Sequence, residues 1–197
     1  AVPELAVSGY PPLDLLDRQF FVQENLRIRD ALAAMTGPAA LIFGCVAFNE
    51  SGCGKPYQNT AVVAQDGKIV FTQIKSLLPT YDVFDELRYF EPAHSVSTFD
   101  LGGKRIGLSI CEDFWYDERI LGRPLYCENP VDDLAAQHCD VLINISASPF
   151  NVGKRQARYE TFRQIARQFA VPIVYVNQVG GNDELFFDRS TIVINSR

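Results

Sequence analysis

A layered α/β domain with a mixed sheet is the fold this sequence predicts, and three observations carry the expectation. Residues 41–48 (LIFGCVAF) are apolar without interruption, as a strand covered on both faces must be. TAVVAQ and KIVFTQI are joined by Asp66-Gly67, a pair that accepts the positive φ angles of a tight hairpin. Residues 18–35 and 154–169 repeat apolar side chains at helical spacing.

In chain order, Ala1-Val2-Pro3 reads as the last step of a strand. The helix over 18–35 places Phe21, Ile28, Leu32 and Met35 on one stripe and stops at Gly37-Pro38. Beyond the hairpin, Gly102-Gly103 marks a turn, and 105–111 (RIGLSIC) forms a buried strand. Asn129-Pro130 opens a short helix over 131–138. Strands follow at 140–146 (DVLINIS), in PIVYVNQ and in STIVINS. The helix over 154–169 lays Phe162, Ile165, Ala166 and Phe169 beneath an Arg-rich outer face. Gly180-Gly181 reads as a loop after a strand, and Asn182-Asp183-Glu184 as surface loop. With no repeat, low-complexity tract or linker, residues 1–197 read as one domain. Its last strand lacks a terminator, so the chain reads as a segment of something longer.

Composition removes several function classes. At 47% hydrophobic and 21% charged residues, the chain can bury a core and is not a disordered segment. No apolar run approaches the ~20 residues of a membrane helix. A net charge of −6 without a Lys/Arg cluster does not suit a phosphate backbone, so no nucleic-acid partner is expected. The cysteines (Cys45, Cys53, Cys111, Cys127, Cys139) show no CxxC pair, and His94 and His138 cannot complete a zinc quartet. No metal site is therefore expected. The thiols read as reduced, which suits the cytoplasm. There is no P-loop, no GxGxxG after a strand and no GxSxG elbow.

The sharpest local signal is Ser109-Ile110-Cys111-Glu112-Asp113, where a buried strand ends on a thiol followed by two acids and Trp115. Strand ends are where a rigid scaffold presents reactive groups. Taken alone, Cys111 is more often a small buried hydrophobe. Lys75, closing KIVFTQIK, is more often a solvated cap, and Glu4 an exposed carboxylate. The tail after Lys75 holds Tyr81, Phe84, Glu86 and Tyr89-Phe90, too aromatic for a solvated loop and suited to a cleft wall. Together, an acid, a cation and a thiol at three strand ends supply base, oxyanion partner and nucleophile.

In that order, PELAVSGYPP, KSLLPTYDVFDELRYF, SICEDFW, NISASPFNVGKR and VNQVGGNDELFFD resemble the nitrilase (carbon–nitrogen hydrolase) superfamily. Within it they are most similar to the glutaminase domains of glutamine-dependent NAD synthetases. The resemblance spans residues 3 to 188. It implies a four-layer α-β-β-α sandwich with mixed sheets, here truncated at both ends. It assigns Glu4 as general base, Lys75 as the oxyanion-stabilising lysine and Cys111 as nucleophile. Tyr81, Ser148 and Lys154 match positions that hold glutamine, and Glu86 the second glutamate near the triad, in a supporting role. Residue chemistry adds Glu112, which with Glu86 is a candidate for the substrate ammonium, while Lys154 suits the carboxylate. Some relatives carry Arg at Lys154; Lys keeps the charge without the bidentate geometry. As the residue opening a helix, Lys154 also sits where the dipole disfavours a cation, which favours function over solvation.

The same resemblance implies that the glutaminase step needs no cofactor. ATP and Mg belong to a C-terminal NAD synthetase domain absent from these residues, and a homo-oligomer is expected. Two rival readings are a free-standing amidase acting on another carbon–nitrogen bond, and a non-catalytic scaffold.

Overall fold

The computed structural model describes residues 1–115 and 125–196. Three antiparallel strands, β1 (Leu41–Phe48), β2 (Tyr57–Gln65) and β3 (Lys68–Ile74), form one sheet in that spatial order. The second sheet contains β4 (Thr98–Leu101), β5 (Lys104–Ile110), β6 (Val141–Ser146), β7 (Ile173–Asn177) and β10 (Ile192–Ile194). Its order is β10-β7-β6-β5-β4. The inner three strands run parallel, and both edges pair antiparallel. A hairpin of β8 (Val179–Asn182) and β9 (Leu185–Asp188) stands apart. Two long helices, α1 (Gln19–Ala34) and α4 (Lys154–Gln168), and two short ones, α2 (Glu86–Tyr89) and α3 (Pro130–Ala136), complete the described elements with 3-10 turns at Leu13–Asp17 and Cys111–Phe114.

The period-2 alternation of strands explains the uninterrupted apolar runs. In β1 and β2, Ile42, Ala61 and Val63 pack against Ile106, Leu108 and Ile110 of β5, sheet face to sheet face. The alternate residues Phe43, Cys45, Val62 and Ala64 pack outward against Ala33 of α1. On the far side, Leu142, Ile173 and Tyr175 meet Val131 and Leu134 of α3 and Phe162, Ile165 and Ala166 of α4. Helix, sheet, sheet, helix: the four-layer arrangement expected from the resemblance is the one observed. A further cluster joins Leu5, Tyr10, Val46, Leu78, Phe90, Ala147 and Phe187 at one end of the sandwich, from widely separated parts of the chain.

Several expectations need correction. Met35 is 83% exposed; the fully covered positions of α1 are Val22, Asn25 and Ala33, while Phe21 and Leu32 of the expected stripe pack half-buried against the core. Asn25 turns inward because its amide donates to the Val46 carbonyl at 3.2 Å, a polar contact that apolar periodicity does not show. Gly180-Gly181 belongs to β8 and not to a loop, since both residues pair with β9. Residues 1–3 form no strand, although Val2 donates to the Ile42 carbonyl (2.8 Å) and Pro3 accepts from Gly44 (3.1 Å). Pro3 has no N–H to continue the ladder, and Leu5 turns the chain at φ 46°. The last strand ends at Ile194, short of the expected reach, and Arg197 lies outside the described residues.

The seat of residues 3–7 on β1 depends on Gly44. A Cβ there would collide with the Leu5 amide nitrogen and stand 2.7 Å from the Glu4 carbonyl carbon, both backbone atoms that cannot rotate away. Gly37, by contrast, has nothing within 4 Å. Gly44→Ala should therefore lower the thermal midpoint by about 3–10 °C, the effect of ~1–3 kcal/mol of overpacking, while Gly37→Ala shifts it by no more than ~2 °C. Equal midpoints in a thermal melt would show that the N-terminal segment does not rest on β1.

Candidate active site

Three segments distant in sequence converge at one end of the sandwich. The segment seated on β1 delivers Glu4, the exit of β3 delivers Lys75, and the exit of β5 delivers Cys111. Glu4 and Lys75 are both fully buried. Glu4 Oε1 accepts from Lys75 Nζ at 2.7 Å and from Asn59 Nδ2 at 2.8 Å, and Oε2 accepts from the Ala147 amide at 2.9 Å. Lys75 Nζ also donates to Glu86 Oε1 at 2.7 Å. Glu86 opens α2 and takes further bonds from the Tyr10 hydroxyl (2.8 Å) and Asn59 Nδ2 (3.4 Å).

One ammonium thus faces two buried carboxylates, and their charges do not balance. Burial is the largest influence on Glu86 and pushes its carboxyl up to about 7, against the pull of Lys75 and with Glu4 adding to the rise. Burial alone would lower Lys75, but the two carboxylates hold its ammonium well above the ordinary value.

Cys111 is the first residue of the 3-10 turn and takes a left-handed φ of 43°, a conformation that costs a non-glycine residue about 1 kcal/mol or more. Asp113, two residues on, bonds three backbone amides: Ile110 (2.9 Å), Ser76 (3.1 Å) and Leu77 (2.9 Å). Burial pushes the Cys111 thiol well up, Glu4 adds to the rise, and Lys75 opposes it. The sulfur therefore rests as a thiol and not as a thiolate.

In front of the cysteine lies a cleft of about 360 Å³. Tyr81, Phe84, Glu112, Trp115, Ser148 and Lys154 line it together with Cys111. Glu112 accepts from the hydroxyls of Tyr81 (2.8 and 3.0 Å) and Tyr126 (2.9 Å), and burial raises its carboxyl. Lys154 Nζ sits 5.8 Å from the Trp115 ring centroid, and desolvation lowers its ammonium. Ser148 is held by its amide on Asn177 Oδ1 (2.9 Å), and its Oγ accepts from Arg158 at 3.4 Å. Arg158 is fully buried and spans to Asp188 at 3.1 Å.

All eight residues singled out in the sequence thus gather at one end of the sandwich. Cys111, Tyr81, Glu112, Ser148 and Lys154 line the cleft, whereas Glu4, Lys75 and Glu86 form the ion cluster behind it. The carbon-nitrogen hydrolase family matches residues 1–195, nearly every residue in the chain. The chain belongs to the carbon-nitrogen hydrolases. It is 42% identical over 199 residues to the glutamine-dependent NAD(+) synthetase of Synechocystis sp., covering 99% of this chain and 36% of that protein. It is 37% identical over 195 residues to the glutamine-dependent NAD(+) synthetase of Acinetobacter baylyi. The solved glutamine-dependent NAD+ synthetase of Acinetobacter baumannii superposes with a TM-score of 0.86 at 36% identity, covering 99% of this chain and 34% of the other. A nitrilase-superfamily amidase from Nesterenkonia, at 18% identity, shares the fold with a TM-score of 0.79 over 99% of this chain. The chain spans about a third of the length of the synthetases it matches.

The candidate site of this carbon-nitrogen hydrolase also rests on residues with little signal in the sequence. Asn59 bridges both carboxylates from within β2, and its only sequence signal is a polar residue beside the apolar TAVVA. Arg158 was placed on an exposed Arg-rich face, yet it stands four residues before Phe162 and shares the buried stripe. Asp113 adjoins the cysteine motif, but its partners at Ser76 and Leu77 lie across the fold.

Because folded Glu86 titrates near 7 while an unfolded carboxyl does so near ~4.3, the native state keeps a proton that the unfolded chain has lost. Its contribution therefore turns against folding as pH climbs through this interval, and reaches full size above it. Asp113, raised by burial to about 6, acts in the same sense. Thermal midpoints taken from pH 5 to 8 should decline, and Glu86→Gln should remove the part of the decline nearest neutrality. An unchanged slope in the glutamine variant would contradict the buried titration.

Proposed function

We propose that this chain is the glutamine-hydrolysing part of a glutamine-dependent NAD synthetase. The observation that carries the reading is a cleft lined together by a thiol, Cys111, a cation, Lys154, and a carboxylate, Glu112. Free glutamine has the matching charges, a carboxylate and an ammonium flanking its α-carbon, with the side-chain amide extending to the sulfur. Lys154 suits the carboxylate and Glu112 the ammonium. Glu86 does not take that second task, because Lys75 and Tyr10 already engage it behind the cleft. Tyr81 and Ser148 add hydroxyl contacts.

In the reaction, Cys111 Sγ bonds to the amide carbon while Glu4 takes the thiol proton. The raised thiol makes that transfer part of the attack and not a step completed beforehand. The Lys75 ammonium stabilises the oxygen that becomes negative. Breaking the C–N bond releases ammonia, protonated from Glu4, and leaves a γ-glutamyl thioester. Water then gives a proton to Glu4 and attacks the thioester carbon. Glutamate departs and the sulfur recovers its proton. No step needs a cofactor. We assign use of the ammonia to an ATP- and Mg-dependent synthetase portion of the kind carried in the relatives' name, acting on deamido-NAD. The described cysteines are free, which suits the cytoplasm, and no described helix is long and apolar enough to cross a membrane.

The test is ammonia release from a substrate panel. Glutamine should be preferred over simple aliphatic amides and nitriles; preference for one of those would favour an amidase instead. Cys111→Ala should lower turnover by about a thousandfold or more. Lys154→Met should raise the KM for glutamine about tenfold, as loss of a charged contact worth ~1.5 kcal/mol would, with kcat within about threefold. Turnover retained by the alanine variant, or KM unmoved in the methionine variant, would overturn those assignments.

A further inference from the structure

We propose that Asp113 is a positioning residue that fixes the strand end bearing Lys75 against the strand end bearing Cys111. The inference rests on the hydrolase reading above and deepens it. Lys75 and Cys111 come from different sheets, and their backbones share no ladder. Asp113 supplies the missing link. Its Oδ1 accepts the amides of Ser76 and Leu77, directly after Lys75, and its Oδ2 accepts the amide of Ile110, directly before Cys111. One rigid carboxylate therefore sets the offset between oxyanion cation and nucleophile.

The surroundings make that link stiff. Asp113 is fully buried, and its carboxylate has backbone amides on both oxygens with no cation among its hydrogen-bond partners. Ser76 is also buried, and the peptide joining it to Lys75 is held on its N–H by Asp113 and on its carbonyl by the Ala93 amide at 2.9 Å, so the Asp113 bond is the contact that ties this step to the Cys111 turn. The bond to Ile110 runs from residue i+3 back to residue i and closes the turn whose first residue is the left-handed Cys111. Releasing it relaxes the strained φ and moves the sulfur. Asp113 does not line the cleft, so its substitution leaves Tyr81, Ser148 and Lys154 in place.

Asp113→Asn is the sharpest variant. It keeps one oxygen for Ser76 and Leu77 and sets an NH₂ donor against the Ile110 N–H, or the reverse after a flip. In folded Asp113→Asn, kcat for glutamine should fall about thirtyfold or more while KM stays within about threefold. Alkylation of Cys111 by chloroacetamide, read by peptide-resolved mass spectrometry, should slow about tenfold, with Cys53 and Cys127 unchanged. The alkylation arm does not depend on the substrate. If the parent protein hydrolyses no glutamine but Cys111 alkylation still depends on Asp113, the glutaminase reading fails and the positioning role stands. A purely structural role predicts a lower melting midpoint with kcat and alkylation unchanged per folded molecule, and that result overturns the proposal. Should Asp113→Asn not fold, Asp113→Glu takes its place, keeping the carboxylate but shifting both strand ends by a methylene. Lower kcat at constant KM in that variant supports the role; full kcat, or loss of fold in both variants, overturns it.

Discussion

The Lys75 ammonium sits with no solvent exposure between Glu4 and Glu86, 2.7 Å from each. Removing such a charge from water costs several kcal/mol and is recovered only while both partners keep their geometry. That requirement reaches far from the site. Glu4 arrives correctly only if its segment lies flat on β1, which is why position 44 has no side chain. Glu86 arrives correctly only if the loop after Lys75 folds back to start α2, where the Glu86 amide donates to the Pro79 carbonyl. Asn59 reaches both carboxylates from β2, and Tyr10 caps the second. A hydrophobic layer of Leu5, Leu78, Phe90 and Ala147 closes over the group and keeps water out. Breaking any contact leaves an uncompensated charge in a dry place, so the cluster demands that these distant segments assemble together.

Charge is sorted by position relative to the sulfur. Behind Cys111 the groups are dry and bonded to one another, and in front of it Lys154 and Glu112 border an open cleft. The rear set influences the thiol in opposite senses, Glu4 raising its pKa and Lys75 lowering it, but burial outweighs both. An enzyme built on a resting thiolate would need the reverse balance. In the reaction we propose, proton transfer to Glu4 accompanies attack, and Lys75 meets negative charge only as it develops on the substrate oxygen. Two N–H donors and the Lys75 ammonium hold the Glu4 carboxylate in one orientation.

Apolar runs were legible as strands because burial on both faces leaves no polar alternation to misread, and 41–48 is the observed β1. The stripe on α1 was misjudged at Met35 because hydrophobicity does not reveal that Asn25 has a carbonyl to bond, while the last residue beyond a helix has nothing above it to cover it. In the candidate site, the residues to which we assign chemistry stand in recognisable motifs. Those that hold them do not, for a physical reason. Asn59, Asp113, Asn177 and Arg158 act through side-chain partners 10 to 55 residues away, or through backbone amides that carry no residue identity. A sequence shows side-chain types; it does not show which buried amide lacks a partner.

The wall opposite the ion cluster obeys the same logic with its own buried charge. Arg158 bonds Asp188, Asn177 joins that carboxylate at 3.0 Å, and Asn177 also fixes both amide and carbonyl of Ser148. A guanidinium has donors and no acceptor. Its 3.4 Å contact therefore occupies a lone pair of the Ser148 oxygen and leaves the hydroxyl proton to be directed elsewhere. The buried Tyr175 hydroxyl is one neighbour of that oxygen, and the cleft that Lys154 also borders is the other. Ser148, Lys154 and the Glu112 carboxylate thus border one cleft with donors and an acceptor. Under the reading we propose, a ligand carrying an anion and a cation engages Lys154 and Glu112 together, with Cys111 in the same lining to receive its side chain.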